Sequence, residues 1–112
     1  MKPQQKTLAL LSLNINGLAS CALKRSCLFG SLLKKGFDVV LLQETHHRSE
    51  VQGQSWAREG AGPLKGWNGP SFWSHGVDGK HGVAVLVKEG GLAENPVCIH
   101  NSVDGRICAI TF

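Results

Sequence analysis

The fold is decided by Phe37-Asp38-Val39-Val40-Leu41-Leu42-Gln43-Glu44-Thr45-His46, a short apolar run that stops abruptly in polar residues. A stretch this short and this rich in Val and Leu fits a strand buried on both faces. Its polar end then emerges at the C-terminal tip, where open α/β sheets place their ligands. A carboxylate held on a rigid strand at that point, Glu44, is positioned to grip a metal ion. A strand followed by an ordinary polar loop is the competing reading of the same residues.

Working outward, Leu8 to Leu13 predicts a first strand, nearly all apolar and therefore expected at the centre of a sheet. It runs into Asn14-Ile15-Asn16-Gly17. In extended chain, residues two apart share a face, so Asn14 and Asn16 are expected to point the same way. Turn chemistry explains Asn16-Gly17 well and Asn14 poorly. Between the two strands a helix is expected over Cys21 to Lys35, capped by Ser20. Leu23, Cys27, Leu28, Leu32 and Leu33 form its apolar stripe, Lys34 and Lys35 suit its C-terminal dipole, and Gly36 closes it. Strand, helix and strand in succession predict a parallel or mixed sheet.

Downstream, His47 to Pro70 reads as a long loop with one helical turn near Ser55 to Glu59, tacked to the core by Trp56 and Trp67. Ser71 to Ser74 is a short strand, His75 to His81 a glycine-rich turn, and Gly82 to Val87 a clear strand. The turn is too short for a GxxxxGK[ST] phosphate loop. His75 and His81 are expected in exposed loop. Val97 to Ile99 and Arg106 to Phe112 form two further strands around Asp104-Gly105. Met1 to Lys6 is expected to be a loose end.

With 112 residues the chain holds one domain, and its 42% hydrophobic and 18% charged content is that of a globular protein, not a disordered one. A net charge of +4 favours an anionic partner such as nucleic acid, although Lys and Arg are scattered, with short pairs only at Lys24-Arg25 and Lys34-Lys35. Cys21, Cys27, Cys98 and Cys108 show neither CxxC pairing nor disulfide-framework spacing, so reduced and mostly buried thiols and an intracellular location are expected. A zinc site from His46, His47 and distant cysteines is disfavoured. No apolar stretch reaches membrane-spanning length, and no membrane partner is expected.

Three separated stretches share one likeness. "SLNINGL" at Ser12 to Leu18, "VVLLQETH" at Val39 to His46 and "GKHGVAVLV" at Gly79 to Val87 resemble the endonuclease/exonuclease/phosphatase superfamily. The likeness is nearest to the N-terminal endonuclease domain of LINE-type retrotransposon polyproteins, related to apurinic/apyrimidinic endonucleases, and it extends through "DGRICAITF". It implies a two-sheet α/β sandwich with outer helices, of which residues 7–112 supply the N-terminal part, roughly the first half. It implies a catalytic Mg²⁺ (or Mn²⁺) bound by Glu44, with Asn14 beside the metal and the scissile phosphate as the second catalytic residue. Asn16, Thr45 and His46 fall at substrate-binding positions, with DNA as partner and the nucleus as a compartment.

The chemistry suits these residue types, because Mg²⁺ takes oxygen ligands and retains several waters. The resemblance also implies an Asp/Asn pair and a late Asp-His pair that Asp38, Asp78, Asp104, His75, His81 and His100 do not match. A DNA-nicking phosphodiesterase, incomplete and inactive alone, is therefore the expected function. A superfamily phosphatase acting on a phosphoinositide or nucleotide is one alternative. A non-catalytic retroelement remnant or basic nucleic-acid-binding module is another.

Overall fold

The computed structural model describes residues 7–19, 21–59, 66–102 and 104–112. The expected loose end at Met1 to Lys6 and the expected cap Ser20 lie outside these residues. The chain runs β1 (Leu10–Asn14), α1 (Ala22–Lys35), β2 (Val39–Gln43), α2 (Glu50–Arg58), β3 (Ser71–Ser74), a 3₁₀ turn (Val77–Gly79), β4 (Val83–Val87), β5 (Val97–Asn101) and β6 (Cys108–Thr111). One sheet has the order β1-β2-β4-β3 and the other is the hairpin β5-β6. Strands β1 and β2 are parallel across the α1 crossover, and β4 is antiparallel to β2 and β3, so the sheet is mixed. The expected two-sheet α/β architecture is the one observed.

The alternation of side chains across the first sheet explains its apolar runs. Val40, Leu42, Trp73, Ala84 and Leu86 turn to the helices, where they meet Phe29, Leu32, Trp56 and Ala57. Val39, Phe72, Val85 and Val87 turn to the other face, in one cluster with Ala93 and with Cys108 and Ile110 of the hairpin. A strand covered on both sides has no position for polar residues. Each fully buried Leu or Phe contributes about 1.5–3 kcal/mol relative to exposure.

The hairpin packs on β3 and β4 only, leaving Leu10 at 57% and Leu41 at 36% exposure on the β1–β2 half. Among the described residues strand β1 is an edge strand paired with β2 alone, not the central strand its composition predicts.

Helix α1 begins and ends close to expectation, with Gly36 in left-handed backbone at φ 72 closing it. Its N-cap is Cys21, which makes no side-chain capping bond. The buried face differs from the predicted stripe: Leu23 is 61% exposed and Cys27 is exposed, while Phe29, Leu32, Arg25 and Ser26 are buried. The roll of the helix is set by Arg25, whose guanidinium makes two bonds to Glu59, at 2.9 and 3.1 Å, and stacks 4.9 Å over Trp56.

Helix α2 is longer than the single turn predicted within the loop. Ser49 caps it by accepting the Gln52 N–H at 3.1 Å, and Gln52 reaches back to accept the Arg48 N–H at 2.7 Å. This is a variant of the S-x-x-Q capping box. Trp56 and Trp67 anchor the segment as expected, at 6% and 4% exposure. All four cysteines are free, and the expectation of mostly buried thiols fails, since Cys21 and Cys27 are exposed and Cys98 and Cys108 half-buried. Among the described residues no helix is long and apolar enough to cross a membrane.

Asp38 explains how β1 and β2 are held at their starts. Its carboxylate accepts the Ala9 N–H at 2.8 Å and the Leu92 N–H at 3.1 Å. Those backbone donors, Ala9 first, hold its pKa below the usual carboxylate range. The group ties three chain segments together and is thereby committed to the fold.

Candidate active site

Beyond Gln43 the chain leaves β2 and is strapped on both sides by backbone bonds. Ile15 N–H donates to Gln43 O at 3.1 Å, Gly17 N–H to Glu44 O at 2.6 Å and Leu18 N–H to Thr45 O at 3.1 Å. From the other side, Thr45 N–H donates to Gly82 O at 3.1 Å and His46 N–H to His81 O at 2.8 Å. The three motif stretches, far apart in sequence, are therefore joined at one sheet end. Gly82 N–H in turn donates to Gly105 O at 2.9 Å, which brings the β5–β6 turn to the same place.

The strapping forces unusual backbone. Asn16, Glu44, His46 and His81 all hold left-handed conformations, at φ 48, 56, 58 and 61. Non-glycine residues pay about 1–2 kcal/mol each for this geometry, and such strain gathers at functional sites. Asn16 is the residue type that tolerates it best.

Glu44 sits at the strand tip with its side chain 40% exposed, and its Oε2 lies 2.8 Å from His46 Nε2. Asn14 ends β1 opposite Gln43 in the parallel register, one position from Glu44. Its Oδ1 accepts the Asn16 N–H at 3.1 Å. Asn16 is exposed but lies in a turn, so Asn14 and Asn16 do not share a face of extended strand. His46 is on the rim at 32% side-chain exposure. Thr45 is not: it is fully buried, and its hydroxyl lies 2.6 Å from His47 Nδ1. A threonine in that position shapes the loop from inside and offers no surface to a substrate.

Three residues that support this site escaped the sequence reading. His47 is buried, packs edgewise on Trp73 at 4.9 Å, and leaves its Nε2 without a partner. Burial, reinforced by nearby His75, lowers its pKa to about 4 and keeps the ring neutral at pH 7. Lys24 Nζ donates to Ile15 O at 3.3 Å and Gly17 O at 2.9 Å, and Arg25 donates to Leu18 O at 2.7 Å. These two side chains back the Asn14–Leu18 segment from α1. The adjacent Lys24-Arg25 pair was visible in the sequence, but only the tertiary structure shows what it holds. His75 is exposed as expected, while His81 is half-buried beside Gly82.

The donor set fits a hard divalent cation. Glu44 supplies a reachable carboxylate and Asn14 an amide oxygen, both oxygen donors of the kind Mg²⁺ and Mn²⁺ accept alongside retained waters. Among the described residues no group of three or more His, Cys, Asp or Glu is arranged to hold a metal.

Residues 11–97 match the profile of the Endonuclease/Exonuclease/phosphatase family. No curated protein matches the chain. With the match spanning most of the sequence and covering all three strapped motifs, the chain belongs to the endonuclease/exonuclease/phosphatase family, a family of hydrolases that generally use divalent metals.

Proposed function

We propose that residues 7–112 carry the metal-holding side of a Mg²⁺-dependent phosphodiesterase of the DNA-nicking type, akin to the endonuclease domain of LINE-type retrotransposons. The observation that carries this reading is the convergence of three motif stretches on Glu44, whose carboxylate stays accessible while the next residue, Thr45, is buried. Glu44 and Asn14 would hold the ion, and His46 would steady the Glu44 carboxylate from the second coordination shell. A bound divalent ion neutralises phosphate charge and stabilises the leaving oxygen. Asn16 and His46, at the edge of the site, would meet DNA.

Neither Asp38, tied into the fold, nor Asp104, in the hairpin turn, supplies the water-activating side. These 112 residues are accordingly expected to bind Mn²⁺ in place of Mg²⁺ through Glu44 and to show little nicking of supercoiled plasmid alone. Electron paramagnetic resonance titration with Mn²⁺ tests the metal site. Wild-type-like binding by Glu44→Gln would remove the basis for the assignment. Robust Mg²⁺-dependent nicking, lost in Glu44→Ala, would instead show that the residues present suffice.

A further inference from the structure

The turn between β5 and β6 has a role that the three motifs do not account for. Gly105, at φ 71, seats the turn against β4, and a Cβ there would run into the backbone of His75 and Gly76. Its carbonyl receives the Gly82 N–H, so the seat is the same glycine that straps Thr45. This docking carries Arg106 to the wall of a pocket of about 200 Å³ that it shares with Gln43, Glu44, His81 and Gly82.

Arg106 has a fixed root and a head held only by a long, exposed ion pair to Asp104. Its backbone N–H is held by Ser102 Oγ at 3.1 Å and Asp104 Oδ1 at 3.2 Å. Its side chain is 64% exposed, and its Nε stands 3.8 Å from Asp104 Oδ2, too far for a hydrogen bond. Among the described residues the guanidinium makes no hydrogen bond, and Glu44 contacts His46 instead of Arg106. The pocket is thus lined by a glutamate and an arginine whose charged groups make no contact with each other. Such a pair suits a ligand bearing a phosphate together with a cation.

We propose that Arg106 is the residue that grips the phosphate at this site, binding the non-bridging oxygens of a nucleic-acid phosphodiester while Glu44 faces the metal. A guanidinium presents paired N–H donors that match phosphate oxygens, a geometry an ammonium lacks. The proposal rests on the phosphodiesterase reading for the nature of its ligand. Because Arg106 is exposed, its replacement leaves the core intact, and tryptophan fluorescence in urea checks this directly.

The test is anisotropy of a fluorescein-labelled DNA duplex in Ca²⁺ over a range of salt, with Mn²⁺ titration run in parallel on the same proteins. Arg106→Ala is expected to weaken duplex binding roughly tenfold or more and to lower the salt slope by about one. Arg106→Lys should recover only part of the loss, and Mn²⁺ affinity should stay at the wild-type value in both. Wild-type duplex affinity and slope in Arg106→Ala, or no duplex binding by the wild type at low salt, would overturn the assignment. Unchanged Mn²⁺ binding in Glu44→Gln strikes the metal reading alone and leaves the Arg106 result standing.

Discussion

His46 Nε2 lies 2.8 Å from Glu44 Oε2, and the two residues hold left-handed backbone on either side of the buried Thr45. A ring that touches one carboxylate oxygen orients the other. Outer partners of this kind affect metal affinity by about 10–100-fold. His46→Ala is therefore expected to weaken Mn²⁺ binding roughly tenfold, with Glu44→Gln removing it. Tighter binding in His46→Ala would mean that the imidazole competes with the cation for the same oxygen.

Gly82 occupies φ 99 where a Cβ would collide with Thr45 Oγ1 and crowd His47 Nδ1. Gly90 has φ 69 with nothing within 4 Å of its Cβ position. The pair separates backbone strain from steric clash. Gly90→Ala should cost about 1 kcal/mol in urea unfolding, and Gly82→Ala about 2–4 kcal/mol. Equal losses would show that the neighbours of Gly82 yield without cost.

The neutral, buried state of His47 makes stability depend on pH. Its pKa falls from 6.5 to about 4 on folding, so between those values the unfolded chain binds the extra proton. The contribution is fully present above pH 6.5 and is lost as pH falls toward 4, at roughly 1 kcal/mol per pH unit. Urea midpoints measured through this window should fall with acidification in the wild type. His47→Gln should flatten the profile, and an unchanged slope would assign the effect to another group.

Arg25 bridges Glu59, Trp56 and the Leu18 carbonyl while only 9% exposed. Arg25→Met leaves Glu59 and that carbonyl without their partner and should cost about 2–4 kcal/mol. Glu59→Gln, on the more exposed side, should cost less. A double-mutant cycle is expected to show coupling of about 1 kcal/mol or more. Strictly additive losses would mean that Arg25 acts through packing on Trp56 alone.

Much of the fold is legible because apolar periodicity is a local signal. Strand β3 falls where Ser71-Phe72-Trp73-Ser74 predicts it, and α1 ends at the basic turn before Gly36. The face that α1 buries is not legible, because it depends on Glu59, 34 positions away from Arg25. The position of β1 is hidden for a related reason: Leu10 reads as core, yet among the described residues no strand flanks it on the outer side and it is 57% exposed. Helix α2 had a local signal in Ser49 and Gln52 that the surrounding glycines obscured.

By itself the sequence determined that Val39 to Leu42 is a strand ending in a polar tip; its expected burial on both faces holds for Val39, Val40 and Leu42 but not for Leu41, which is 36% exposed. Which tip residues look outward was decided only by the tertiary structure. Glu44 and His46 face the pocket and rim, while Thr45 and His47 turn into the core. The reason is that the tip is no longer strand. Its backbone angles are imposed by hydrogen bonds from Gly17 and Leu18 on one side and to His81 and Gly82 on the other, partners no local pattern can reveal.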